Sequence, residues 1–279
     1  MMKLGNWPLI TVIGIAFMAI GVLPSNVPAE TIIKIGGNGS ALGTMMLLAK
    51  EYEKSHPGTR IRVLPSLGTT GGVKALLEGG IDLALACRPL TDTERQKGAM
   101  AMEYASSPFV FITNLKVKKK DITLREVEAI YKKPVAYWPD GSRIRLILRP
   151  EKDFDTILLR SLSPGMEEGI KAAHARPGMI MEITDQEATD AVARTTGALG
   201  CATLCEIISE NKPVNVLSLN GVKPSVKSIT DKTYPLYKVF TLVSTSKTPA
   251  KARQFAEFVR SPEAGRILTK NGNMVAKVK

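Results

Sequence analysis

From Thr31 onward, apolar runs rich in β-formers alternate with stretches whose apolar residues recur at helical spacing. Thr31 to Gly36 (TIIKIG) reads as a strand. Ser40 to Ser55 reads as a helix that gathers Leu42, Met45, Met46, Ala49 and Tyr52 on one face. Arg60 to Leu64 is the next expected strand, and Thr70 to Glu78 the next helix, with Val73, Ala75, Leu76 and Leu77 turned inward. Ile81 to Ala86 is a continuous apolar run, as suits a strand covered on both faces. The order strand, helix, strand, helix, strand predicts an α/β fold with a largely parallel sheet.

Two strand-to-helix junctions concentrate the chemistry of this stretch. Gly36-Gly37-Asn38-Gly39-Ser40 and its neighbour Ala41 form the first, and Ser66-Leu67-Gly68-Thr69-Thr70-Gly71-Gly72 the second. Each offers unpaired backbone N–H groups at a helix start, hydroxyls beside them and glycines that permit close backbone approach. Both loops should end strands of one parallel sheet and face its carboxyl edge, where open α/β sheets bind ligands. Either loop alone reads as a helix cap at Ser40 or Thr69 with a tight glycine turn; it is the pair together that points to an anion site. The glycines are not followed by the Lys-Ser/Thr of a nucleotide phosphate loop, and the first loop lacks the third glycine of a dinucleotide fingerprint.

Composition and charge narrow the classes further. The 279 residues are 44% hydrophobic and 23% charged, enough for two modest domains with their own cores. An excess of 38 Lys and Arg over 26 Asp and Glu leaves +12, which suits an anionic partner. Aromatic residues make up only 5% and do not interleave with the basic clusters, so nucleic acid is not an expected partner. Lys3 precedes an apolar run from Pro8 to Leu23 and then Val27-Pro28-Ala29, so residues 1–29 read as a secretory signal cleaved near Ala29. The run falls short of the roughly twenty residues a spanning helix needs. The expected location is therefore periplasmic or secreted. Of three cysteines, Cys201 and Cys205 stand four apart; a bridge between them and buried free thiols both remain open. With only His56 and His174 in the chain, no metal site and no cofactor are expected.

Pro65-Ser66-Leu67-Gly68-Thr69-Thr70-Gly71-Gly72-Val73-Lys74-Ala75-Leu76, followed by Ile81-Asp82-Leu83-Ala84 and Cys87-Arg88-Pro89-Leu90, resembles the phosphate-binding (PstS-like) solute receptors of bacterial ABC importers. The likeness continues in Thr196-Gly197-Ala198-Leu199-Gly200-Cys201, in Tyr234-Pro235-Leu236, and from Phe255 through Ser261-Pro262-Glu263-Ala264-Gly265. It implies a type II periplasmic-binding-protein-like fold, two α/β lobes joined by two hinge strands with the ligand closed between them. The hinges would be Pro108 to Thr113 and Lys238 to Ser244. Lobe I would hold 30–110 and 238–279, and lobe II 111–237.

Relatives in this family carry an Arg and then Ser-Gly-Thr in the second lobe. Arg149 and Thr156 match the Arg and Thr, while Asp153, Phe154 and Asp155 replace the small polar stretch. Two carboxylates there would repel an anion unless turned away or able to take its proton, and Asp153 reads equally well as a helix N-cap. At the strand end of lobe I, where some relatives have an Asp, this chain has Cys87-Arg88; Arg88 could clamp an oxyanion or simply form a turn. The resemblance thus implies a binding set of Gly39, Ser40, Ala41, Thr69, Thr70, Gly71, Cys87, Arg88, Arg149, Asp153 and Thr156. The expected function is a monomeric, non-enzymatic receptor for a small oxyanion, phosphate first and sulfate or another anion second, serving an ABC permease. A stand-alone binding or sensing protein is the alternative. A hydrolase with a Cys or Ser nucleophile is weaker, because no local signature supports it.

Overall fold

In the computed structural model, which describes residues 30–277, strands and helices follow the expected alternation. β1 (Thr31–Gly37) leads through a 3-10 turn at Gly39–Ala41 into α1 (Leu42–Ser55). β2 (Thr59–Val63), α2 (Gly68–Leu77), β3 (Leu83–Ala86), α3 (Asp92–Gln96) and the long β4 (Met100–Asn114) follow. Next come β5 (Asp121–Ile122), α4 (Leu124–Lys132), β6 (Arg145–Leu148), α5 (Phe154–Arg160), α6 (Pro164–His174), β7 (Ile180–Met181) and α7 (Asp185–Arg194). The chain continues through β8 (Ala198–Thr203), α8 (Leu204–Ser209), β9 (Val214–Val216), β10 (Ser218–Leu219) and α9 (Val226–Thr230). β11 (Tyr237–Ser244), α10 (Ala250–Val259), α11 (Pro262–Lys270) and β12 (Met274–Val275) complete it. The secretory signal expected in residues 1–29 lies outside the described residues.

Local chemistry accounts for many of these boundaries. Thr91, Thr123 and Thr184 each accept from the backbone three residues on, while Glu94, Glu126 and Glu187 return the bond, making capping boxes. Pro164 and Pro262 occupy the first helical position behind Ser163 and Ser261 caps, where a missing N–H costs nothing. Two helix starts differ from expectation. α1 begins at Leu42, because residues 39–41 wind more tightly, and α2 begins at Gly68, which places Thr69 and Thr70 inside its first turn.

The main sheet runs β2-β1-β3-β11-β4-β8-β6-β7. It is mixed rather than largely parallel. β1 is parallel to β2 and β3, and β6 to β7 and β8, but β4 and β11 run against each other and against their outer neighbours. The reason is that two strands must carry the chain across and back. β4 changes partners midway: Met100 to Pro108 pair with β11, and Phe109 to Thr113 pair with β8. Pro108, which has no N–H to give a ladder, sits at the changeover.

Two main apolar cores lie on either side of that point. One packs Ile33, Ile35, Met45, Leu48 and Tyr52 against Phe240, Phe255 and Leu268. The other packs Phe111, Val127, Tyr131 and Ile147 against Met166, Val192, Leu199 and Tyr234. The three cysteines are buried free thiols, with Cys201 in the second core and Cys205 in the first. Among the described residues no helix is long and apolar enough to cross a membrane.

Candidate functional site

The strand ends of the first half converge through short-range constraints. Gly37 adopts φ +139°, and a side chain there would strike the Leu85 carbonyl, so only glycine lets β1 lie this close to β3. Gly72 is equally tight, since a Cβ would come within 2.6 Å of the Gly37 Cα; α2 therefore rests directly on the end of β1. The Asn38 N–H donates to Leu85 at 2.9 Å, while its buried side-chain Oδ1 has no partner. Thr69 accepts a bond from the Cys87 N–H at 3.2 Å, which ties the start of α2 to the end of β3. Burial pushes the Cys87 thiol up to about 12, so it is a protonated thiol at neutral pH.

Arg88 is engaged on several sides. Its guanidinium donates to both Glu94 oxygens at 2.8 and 2.9 Å, to Thr70 Oγ1 at 3.1 Å and to the Pro89 carbonyl at 2.9 Å. Glu94 is pulled down to about 2, chiefly by that paired hydrogen bond. The fork expected to clamp an oxyanion thus already holds a carboxylate.

In the second half, Arg149 closes β6 and is buried. It donates to the Glu182 carbonyl at 3.1 Å and to Asp153 Oδ2 at 2.9 Å, with Asp185 Oδ2 at 3.8 Å. Asp153 also caps α5 by accepting the Asp155 N–H at 2.9 Å, in agreement with its reading as a helix cap. The Thr156 hydroxyl donates to the Arg149 carbonyl at 3.1 Å, so it braces the arginine.

Lys238 lies at the heart of this arrangement and is fully buried. From β11 it reaches Asp155 of α5 in direct contact and Asp185 Oδ1 of α7 at 3.5 Å. It also donates to Ser40 Oγ at 3.0 Å. Ser40 in turn donates to Asp185 Oδ1 at 2.6 Å. Burial raises Asp155 to about 6 even though Lys238 opposes it. For Asp185, burial is outweighed by Lys238, Arg149 and the Ser40 hydroxyl, and its carboxyl stays below the ordinary range. Behind them Glu206, which accepts from Thr189 at 2.6 Å, is raised to about 8 by burial and by the Asp185 charge.

Above this buried network opens a cleft of about 380 Å³. Thr69, Thr70, Cys87, Arg88 and Asp153 line it, together with Asn38, Lys152, Phe154 and Asp185. Ser40, Arg149 and Thr156 lie in the buried layer and not in its wall. Gly39 is a contact between the two halves, where a side chain would meet Asp185 and Gln186; Ala41 is packed in the first core, and Gly71 lies on α2 beside Leu67. Asn38, Lys152, Asp185 and Lys238 were absent from the expected set. Thr184-Asp185-Gln186-Glu187 carries a capping-box signature that locates Asp185 at a helix start, but a single Lys in an apolar strand gives no sign of what it faces.

A family model described as the PBP superfamily domain matches residues 24–263. The chain belongs to the PBP superfamily. That match covers every residue named in the cleft and beneath it. Relatives include the phosphate-binding protein PstS of Borreliella burgdorferi, 24% identical over 256 residues, 87% of this chain and 89% of that one. In the solved structures, a phosphate ABC transporter substrate-binding protein of Clostridium perfringens with bound phosphate superposes with a TM-score of 0.76 at 20% identity. It covers 88% of this chain and all of the other. The periplasmic molybdate-binding protein of Azotobacter vinelandii gives 0.61 at 16% identity over 88% of this chain and all of that one. These superpositions establish the two-lobed type II periplasmic-binding fold.

Proposed function

We propose that the chain is an exported receptor that closes on a small oxyanion, phosphate first, and presents it to an ABC permease. Residues 30–110 and 238–279 form one lobe and 111–237 the other. The observation that carries this reading is the meeting of the β1, β2 and β3 ends with the starts of α5 and α7 across one cleft. The first turn of α2 supplies Thr69 and Thr70 and the end of β3 supplies Arg88, and Lys152 stands opposite. Helix starts and hydroxyls in this arrangement favour an anion, and lobe closure would exclude water from it. The relatives named for phosphate support phosphate as the first ligand to try. The receptor acts without covalent chemistry: Cys87 is a buried thiol, His56 is stacked on Tyr52 at 3.7 Å, and His174 faces Glu151.

Titration calorimetry against phosphate, sulfate, molybdate and small carboxylates tests the proposal. Phosphate binding that weakens when Thr70 is changed to Ala supports it. Silence toward all four at millimolar concentration refutes it.

A further inference from the structure

The wall of the cleft is not the wall a bare inorganic ion needs. Thirteen large apolar side chains of the described residues are exposed, and three of them, Leu67, Ile157 and Ile183, meet on this one cleft from both halves of the molecule. Ile183 is 75% exposed, and Phe154 joins the three. Apolar groups left in water at a concave site with a few polar groups nearby are what small organic ligands cover. The volume, about 380 Å³, is in the range of clefts that hold such molecules.

The polar groups set the charge of the ligand. Arg88 and Lys152 line the cleft as cations, and Asp153 and Asp185 as carboxylates, so the wall is balanced. Arg88 is satisfied by Glu94, and Asp153 by Arg149. The Asp153 and Asp185 carboxylates can only accept hydrogen bonds, so they favour a ligand that keeps a proton on one oxygen over a fully ionised one. Asn38 Oδ1, buried on the same wall and without a partner, is an acceptor awaiting a donor. A protonated oxygen on the ligand would satisfy it. The thiol of Cys87, at the end of β3, lines the same cleft as Asn38.

We infer that the cleft is built for a singly charged oxyanion bearing a short apolar substituent, the class of monoprotonated alkylphosphonates, a specificity that rests on the oxyanion reading above. The acidic head lies among Thr70, Arg88, Lys152 and Asn38, and the substituent packs between Leu67, Ile157 and Ile183.

Calorimetry of the purified protein with propylphosphonate and with inorganic phosphate at one pH is the test. Covering two or three carbons is worth about tenfold or more in affinity, so propylphosphonate should bind at least about tenfold more tightly. The double variant Ile157→Ser with Ile183→Ser should bring the ratio of the two affinities to within about threefold. If that variant fails to fold, Ile183→Ser alone, at the more exposed position, should at least halve the ratio. Phosphate binding as tightly as propylphosphonate, or a preference that persists in the folded variants, overturns the specificity while leaving the oxyanion receptor standing. Failure of both compounds to bind at millimolar concentration removes the oxyanion reading and this specificity with it.

Discussion

Ser40 Oγ donates to Asp185 Oδ1 at 2.6 Å, joining two residues 145 positions apart in the buried layer beneath the cleft. Ser40 belongs to the β1–α1 junction and Asp185 to the start of α7, so the bond links the two halves of the molecule. Lys238 donates to the same hydroxyl, and Ser40 thus relays between a cation and a carboxylate. Its hydroxyl holds the two halves together, which makes its removal a question of stability.

Ser40→Ala should lower stability by about 1–3 kcal/mol, the cost of one hydrogen bond to a charged group together with the acceptor left short. Urea unfolding measures it. A double-mutant cycle with Asp185→Asn should show strong coupling, and additive losses would mean that the bond contributes little.

Lys238→Met should be far more damaging. It removes the cation between Asp155 and Asp185 and leaves two buried carboxylates facing each other, at a cost of about 3–5 kcal/mol. Adding Asp155→Asn and Asp185→Asn to the same chain should recover much of the loss, because the charges that needed Lys238 are then gone. Thermal unfolding of the parent and these two variants distinguishes this from a simple packing defect, which the added amides would not repair.

The raised carboxyl groups fix the direction of the pH dependence. Glu206, raised to about 8, and Asp155, raised to about 6, hold their protons more tightly folded than unfolded, where both titrate near about 4. Their contribution is complete below about pH 4 and is lost as pH rises through about 6 and then about 8. Glu94, pulled down to about 2, acts oppositely: its contribution is present above about pH 4 and is lost as pH falls through about 2. Glu206→Gln should therefore flatten the decline in melting temperature between about pH 5 and pH 8. A parallel decline in parent and variant would place the titrating group elsewhere.

Glu94→Gln tests whether Arg88 is available to the cleft. The change removes the carboxylate that occupies the guanidinium while keeping the side chain's shape, and Arg88 can then turn its charge to a bound oxyanion. Affinity for an oxyanion ligand, by calorimetry, should rise by about tenfold. An unchanged affinity would show that Arg88 serves only to anchor α3 to the end of β3.

Much of the architecture was legible in the sequence because it depends on neighbours a few residues apart. The strand and helix periods and the Asp153 cap are local, and each was readable from spacing alone. The order of weak motifs along the chain added the two-lobed fold. What the sequence could not reveal is which charges meet. Lys238 lies 198 positions from Ser40, and Arg149 finds Asp185 only because β6 and β7 end side by side. Such pairings are set by strand order and by the crossing of β4 and β11, not by any periodicity. The sequence therefore indicated that an anion site should form at these loops. The tertiary structure decided that Ser40 and Arg149 would be spent on internal carboxylates, and that the open cleft above them would be walled by Asn38, Ile157 and Ile183. Burial is the physical reason, since a charge removed from water must take the nearest opposite charge the fold brings to it.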